Sequence, residues 1–249
     1  MAQAVAHEPA QEHKHPPTAL GVNSRKLGMW AFLSSEVMFF TGLIVTYLVM
    51  KQRNLDQGGP PSQSYFNLFL VSTLAFILLM SSVTMVLAVA ATERNDRKWE
   101  RIWLGATIAL GLTFLGGQVY EFRKMFGEQF ITVTITAPDG TIDRVGVVEA
   151  ELQEELPRLQ QEHPGATFSQ SAPKPTTWTT SLFGATFFTL TGFHGTHVGI
   201  GVLWLSIVLV MSFRGGLTAR NALTVEIAGL YWHFVDLVWV AIFVLVYLI

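Results

Sequence analysis

Apolar residues do not alternate with polar ones along most of this chain; they run on. The stretches 27–50, 67–91, 102–122, 180–213 and 222–249 each reach or exceed the roughly 20 residues a helix needs to cross a hydrocarbon core of about 30 Å. The fourth is too long for a plain crossing, so its first turns are expected at the interface or the helix tilts. In lipid every backbone N–H and C=O must be satisfied within the spanning structure, which leaves helices or a closed barrel. Unbroken runs of Leu, Ile, Val and Phe, without the in–out alternation of a barrel strand, decide for helices. The pattern therefore predicts an all-α integral membrane protein built as a five-transmembrane-helix bundle.

It changes character between the third and fourth runs, over residues 124–179. Ile131, Val133 and Ile135 alternate with Thr132, Thr134 and Thr136 as in a strand, and Pro138-Asp139-Gly140 is a turn signal. Residues 141–148 are read as the return strand and 149–162 as a short charged helix. A stretch rich in Pro, Ser and Thr then leads back to the membrane. This is a small soluble insertion between helices 3 and 4. Residues 1–26 form a polar tail carrying His7, His13 and His15; it is read as disordered, not as a metal site. It lacks the basic start and apolar run of a signal peptide. The organisation expected is thus tail 1–26, helices 1–3 within 27–123, insertion 124–179 and helices 4–5 within 180–249.

Composition narrows the function classes. Only 14% of the 249 residues are charged and 50% are hydrophobic, where a soluble domain carries about a quarter charged residues. There is no cysteine, which removes thiolate metal sites, iron–sulfur clusters, c-type haem attachment and disulfides together. A net charge of −2 argues against nucleic acid as a partner. Arg25, Lys26, Arg94, Arg97, Lys98, Arg101, Arg214 and Arg220 flank one side of the spans, against Lys51, Arg53, Arg123 and Lys124 on the other. The positive-inside rule then puts the N-terminus in the cytoplasm and the insertion and C-terminus outside. Between Glu128 and Glu162, eight acids face only Arg144 and Arg158, a net charge of −6. That segment is either a solvated surface or a docking face for a basic partner.

The candidate chemistry lies in polar residues within the apolar runs. An ionisable group at mid-bilayer costs at least ~2.5 kcal/mol on insertion scales, so each is a functional candidate. Glu36, His194, His197, Glu226, His233 and Asp236 lie inside the spans, with Gln118 and Glu121 near the end of the third. Gln118 with Glu121, His194 with His197 and His233 with Asp236 are each three apart, on one helix face and suited to interhelical hydrogen bonds. For His233 and Asp236 an internal bond at the bundle core competes with proton handling. Glu36 is open to two readings: a carboxyl bonded to a neighbouring helix, or one that is proton-linked or in contact with lipid. His194 and His233 have the placement of facing haem ligands, and His194 with His197 that of a chelate. No Glu-x-x-His or His-x-x-x-His pattern reinforces either, and no metal or cofactor is assigned to this chain. Gly195-x-x-x-Gly199 in the fourth span favours close helix approach.

Four segments carry a resemblance. They are Lys26-Leu-Gly-Met-Trp-x-Phe-Leu-x-Ser-Glu36-Val-Met-Phe-Phe40, Gln118-x-x-Glu121-Phe122, Thr191-Gly-Phe-His194-Gly-Thr-His197-Val198 and Tyr231-Trp-His233-Phe-Val-Asp236-Leu-Val-Trp239. In order, on the first, third, fourth and fifth spans, they resemble subunit III of the haem–copper respiratory oxidases, in the five-helix bacterial form of cytochrome c oxidase. Asp96-Arg-Lys98 fits as well. The resemblance implies an accessory subunit without haem or copper, those cofactors being held by partner subunits. Its partners would be the catalytic subunit I, the copper-bearing subunit II, a small subunit IV and phospholipids, in a bacterial cytoplasmic membrane. It implies support of proton uptake and of turnover stability. Glu36, His194 and His197 would belong to the family's lipid-lined cleft, and Glu226, His233 and Asp236 to the polar core of the last helices.

Many members have seven helices, and the five here resemble the last five. The acidic segment stands where the family has a short connection, and on the expected topology it faces an approaching electron donor or a neighbouring complex. Quinol-oxidase and nitric-oxide-reductase-associated relatives share the five-helix plan. From other classes, an independent transporter or proton channel lacks the expected inverted repeat, and a haem b anchor would need more histidines.

Overall fold

The computed structural model describes residues 23–56, 67–177, 182–217 and 221–248. The histidine-bearing tail (His7, His13, His15), Arg220 and the first residues of the expected fourth span lie outside them. Five helices are long and apolar enough to cross a membrane: α1 (Ser24–Asp56), α2 (Leu68–Glu93), α3 (Arg97–Gly127), α5 (Leu182–Phe213) and α6 (Ala222–Ile242), which continues as a π-helical turn, Phe243–Leu248. The first three overrun the apolar stretches because a helical backbone stays satisfied as it enters the interface. The 32 residues of α5 run unbroken, about 48 Å at 1.5 Å per residue.

The α2–α3 hairpin shows how local sequence sets these ends. Asn67 caps α2 by accepting from the Leu70 N–H at 3.2 Å, and Asp96 caps α3 by accepting from the Trp99 N–H at 3.3 Å. Between α2 and α3, Asn95 adopts φ 57°, a left-handed conformation that asparagine tolerates better than most residues. Asp96-Arg-Lys98 is thus first of all a helix start.

The helices form a ring in the order α1, α5, α3, α2, α6, with α6 also against α5. Of α6's apolar window 56% is buried, against 17% for α1 at the edge. Trp232 of α6 occupies the middle, 1% exposed. Its ring lies where a Cβ on Gly111 or Gly201 would sit, at 2.7 and 2.9 Å, and its Nε1–H donates to Ser81 Oγ at 2.9 Å. Glycine is required there by close approach. The pair flagged in the sequence behaves differently: Gly195 makes room for Gln118, and among the described residues nothing from another element lies within 4 Å of a Cβ on Gly199.

The insertion is built on a β-hairpin, β1 (Gln129–Thr136) and β2 (Ile142–Val148), antiparallel from Phe130↔Val148 to Thr136↔Ile142. A 3-10 turn, Glu149–Glu151, leads into α4 (Leu152–Glu162). Two edge strands that the alternation did not predict, β3 (Thr167–Gln170) and β4 (Lys174–Pro175), pair along the other side of β1. Their short polar sequences acquire strand form from the partner's free edge. Val133, Ile135, Val147 and Leu159 form a core of their own, while Phe130 and Val148 at the hairpin's base join the bundle core. At the turn, Asp139 Oδ1 accepts from the Thr141 Oγ1–H at 2.6 Å and the Thr141 N–H at 2.9 Å. These bonds hold the Asp139 carboxyl below the usual carboxylate range. Gly140 supplies the positive φ, 85°.

Candidate functional site

The intramembrane polar residues gather into clusters. The first joins α1 to α5. Glu36 Oε2 lies 3.2 Å from His197 Nε2, and His197 Nδ1 is 2.8 Å from the Phe193 carbonyl. A carbonyl only accepts, so Nδ1 carries a proton. The Glu36–Nε2 contact therefore holds a second one, either on the carboxyl or on the ring. The Tyr231 hydroxyl donates to the His197 carbonyl at 3.0 Å, and Phe40 packs edge-on to the imidazole at 5.0 Å. The pair keeps 18% and 15% of its side-chain surface exposed, beside the exposed rings of Phe39 and Phe193. It is a proton-holding polar spot on a lateral face where Ser35 and Thr196 are exposed as well, their hydroxyls donating to carbonyls of their own helices.

His194 points elsewhere. It is fully buried among Phe40, Phe114 and Trp239, its ring stacked on Trp239 at 5.0 Å. Among the described residues neither ring nitrogen has a hydrogen-bond partner. The spacing from His197 thus did not make the two partners, and only His197 meets Glu36.

The second cluster joins α2 to α6. Ser82 Oγ donates to Asp236 Oδ2 and lies 3.0 Å from His233 Nδ1. A hydroxyl has one proton, so Nδ1 must donate to it. The expected His233–Asp236 bond is replaced by this serine bridge. Beside it a crevice of about 260 Å³ is lined by Val86, Glu93, Glu226, Gly229 and His233 among others.

The remaining residues act as ties. Gln118 Nε2 donates to the Thr191 carbonyl at 2.7 Å, and the Tyr247 hydroxyl donates to Glu121 Oε2 at 3.2 Å. Glu226 differs from its expected place in the polar core. It lies in the second turn of α6, over a third exposed, and pairs with Lys26 at the start of α1 at 2.5 Å. Fifth in the helix, it sits where a carboxylate reaches the interface and a basic flank. Sequence reasoning missed Ser82 and Tyr247, and had Tyr231 only as part of a motif; the Ser81-Ser82 pair inside an apolar run was the available signal.

His194 and His233, the pair placed as facing haem ligands, belong to separate clusters, one enclosed by aromatic rings and the other bound to Ser82. Among the described residues no group of three or more His, Cys, Asp or Glu side chains is arranged to hold a metal ion.

Five spans, a tightly capped α2–α3 hairpin and polar ties between helices define a multi-pass membrane protein. The chain belongs to the cytochrome c oxidase subunit III family, whose model matches residues 3–131 and 167–249. The break, 132–166, falls on the hairpin and α4 of the insertion. The chain is similar to cytochrome c oxidase subunit 3 of Alkalihalophilus pseudofirmus, 33% identical over 94% of this chain and 91% of the relative. It is equally similar to quinol oxidase subunit 3 of Bacillus subtilis, 33% over 89% and 85%. With the cytochrome bo(3) ubiquinol oxidase subunit 3 of Pseudomonas aeruginosa it shares 30% over 98% and 93%. The chain is therefore an accessory oxidase subunit, which implies a complex with catalytic oxidase subunits.

Proposed function

We propose that this chain is the accessory third subunit of a haem–copper cytochrome c oxidase in aerobic respiration, without a redox centre of its own. It packs on the catalytic subunit I beside the copper-bearing subunit II, with a small subunit IV, in a bacterial cytoplasmic membrane. Its N-terminus is cytoplasmic and its C-terminus external, as the basic flanks favour. Its work is to hold phospholipid at the α1–α5 face and to sustain proton uptake and turnover stability in its partner. The observation that carries this reading is the Glu36–His197 pair: a hydrogen-bonding, proton-holding spot, part exposed on a lateral face. Such a spot can anchor a lipid's polar atoms within the span. His194 supports it from behind as packing.

The test is mild-detergent purification of the chain with its partners, an optical spectrum, and phospholipid analysis of wild type and Glu36→Gln. Expected are a co-purifying haem–copper catalytic subunit that accounts for all the haem, and less bound lipid with faster turnover inactivation in the variant. A chain that comes out alone with a Soret band overturns the proposal, and one that comes out alone and colourless favours the transporter reading. A quinol-oxidase reading is favoured by the 33% identical Bacillus subtilis relative; oxidation of quinol but not cytochrome c by the purified complex decides for it.

The acidic insertion extends the proposal. The net charge of −6 between Glu128 and Glu162 suits it to meet a basic electron donor or a neighbouring complex on the outer side. Neutralising Asp143, Glu149, Glu154 and Glu155 should weaken donor binding or supercomplex recovery; no change in either sinks the docking role.

A further inference from the structure

At the end of the bundle opposite the insertion, the α2–α3 hairpin holds a cleft of about 370 Å³ lined by Ala91, Arg94, Asp96, Trp99 and Trp103. The two indoles stack, with centroids 5.9 Å apart and planes 23° from parallel, and Trp99 is 49% exposed. Arg94 uses its Nε–H on the Ala90 carbonyl at 3.1 Å, leaving the two terminal NH₂ groups for another acceptor. Asp96 uses Oδ1 to cap α3; its second oxygen keeps capacity for a donor. Among the described residues neither charge joins an ion pair.

The depth is set by the helix. The apolar run of α3 begins at Ile102, so Trp99 lies about 4.5 Å outside it and Trp103 just inside its edge. Tryptophan favours this headgroup level. The cleft therefore presents, at one depth, a guanidinium, a carboxylate and an aromatic face.

We infer that this cleft is a seat for the zwitterionic headgroup of an ethanolamine phospholipid, in which Arg94 takes the phosphate and Asp96, with the Trp99–Trp103 pair, the ammonium. Arg94 and a phosphate make a charge-assisted, bidentate match. A primary ammonium can donate to Asp96 and lie against an indole face; a choline keeps the second contact and loses the first. An anionic headgroup without an amine leaves Asp96 unmatched and repelled. The seat is separate from the Glu36–His197 face and stands whether or not that face holds lipid.

The experiment is native mass spectrometry of the full chain, purified with equal amounts of phosphatidylethanolamine, phosphatidylcholine and phosphatidylglycerol. Asp96→Asn is the informative variant, because asparagine still caps α3 while the charge is gone. Retained phosphatidylethanolamine should exceed the other two and fall roughly tenfold in Arg94→Gln and in Asp96→Asn. It should fall about threefold in Trp99→Leu. Circular dichroism unchanged between Asp96→Asn and wild type keeps a loss attributable to the charge. Unaltered retention in both charge variants overturns the site. Equal retention of the choline lipid, or preference for phosphatidylglycerol, overturns the ethanolamine assignment. Displacement by millimolar inorganic phosphate marks a simple anion site and overturns it too.

Discussion

In the bundle Phe69 is 84% exposed and Met38 78%, while Glu100, Gln118, Glu121, His194 and Asp236 are buried. In the insertion the relation is reversed. Val133, Ile135 and Leu159 are buried, Asp143, Glu149 and Glu154 lie outside, and among the described residues from Gln129 to Thr177 Ile142 is the large apolar side chain left exposed. The two regions are solvated differently. In water, burial of apolar surface decides which way a residue faces. In lipid an apolar residue is at home on either side, and interior position is decided by polar groups that need partners and by close packing. Polar residues therefore mark the inside of the bundle, and apolar ones the inside of the insertion.

The strongest way to break this comparison is to place a charge in the water-adapted core. Leu159→Asp should cost about 4 kcal/mol or more through an unpaired buried charge. Amide protection across β1 and α4 should vanish while that of α2 and α6 stays, as seen by hydrogen exchange. Simultaneous loss in the helices would show one cooperative unit instead of two.

Next comes a matched pair on exposed sites. Met38→Asp, facing lipid, should cost about 2.5–3.5 kcal/mol of insertion free energy. Ile142→Asp, facing water and equally exposed in kind, should stay within about 0.5 kcal/mol. Yields of membrane-inserted protein read the first and thermal unfolding the second; equal effects would erase the distinction.

A packing test is smaller. Alanine normally stabilises a helix relative to glycine, but Gly111→Ala and Gly201→Ala would press on Trp232 and should destabilise by about 1–3 kcal/mol. Gly116→Ala, with no described residue of another element within 4 Å of its Cβ, should be neutral or favourable in the same detergent-melting assay.

The smallest effect concerns the hairpin turn. Asp139 has a carboxyl whose folded value lies below its unfolded one, so its support of the turn is present above the ordinary carboxylate range. That support is lost as pH falls through the folded value. Exchange of the Thr141 amide, corrected for intrinsic rate, should rise on acidification, and Asp139→Asn should remove that pH dependence.

How much could be read beforehand follows the same division. The hairpin was legible because Ile131, Val133 and Ile135 alternate with threonines and Pro138-Asp139-Gly140 closes the turn. β3 and β4 were not, since Thr167-Phe-Ser-Gln170 carries no alternation and pairs only because β1 offers an edge. The spans were legible from length and hydropathy, and Glu36, His197, His233 and Asp236 stood out as polar residues in apolar runs. Their partners did not. His233 and Asp236 looked like a pair and instead share Ser82; Glu226 looked interior and instead reaches Lys26.

Residue order alone established five crossings, a water-adapted insertion, the motifs of the subunit III family and the polar residues worth watching. Each of these depends on neighbours along the chain. The folded arrangement settled which of those residues meet: Glu36 with His197 across 161 positions, Ser82 with Asp236 across 154, Trp232 between Gly111 and Gly201. A helix that is apolar on all sides carries no periodic signal for its own rotation, so these meetings are fixed by packing and hydrogen bonding between helices far apart in sequence.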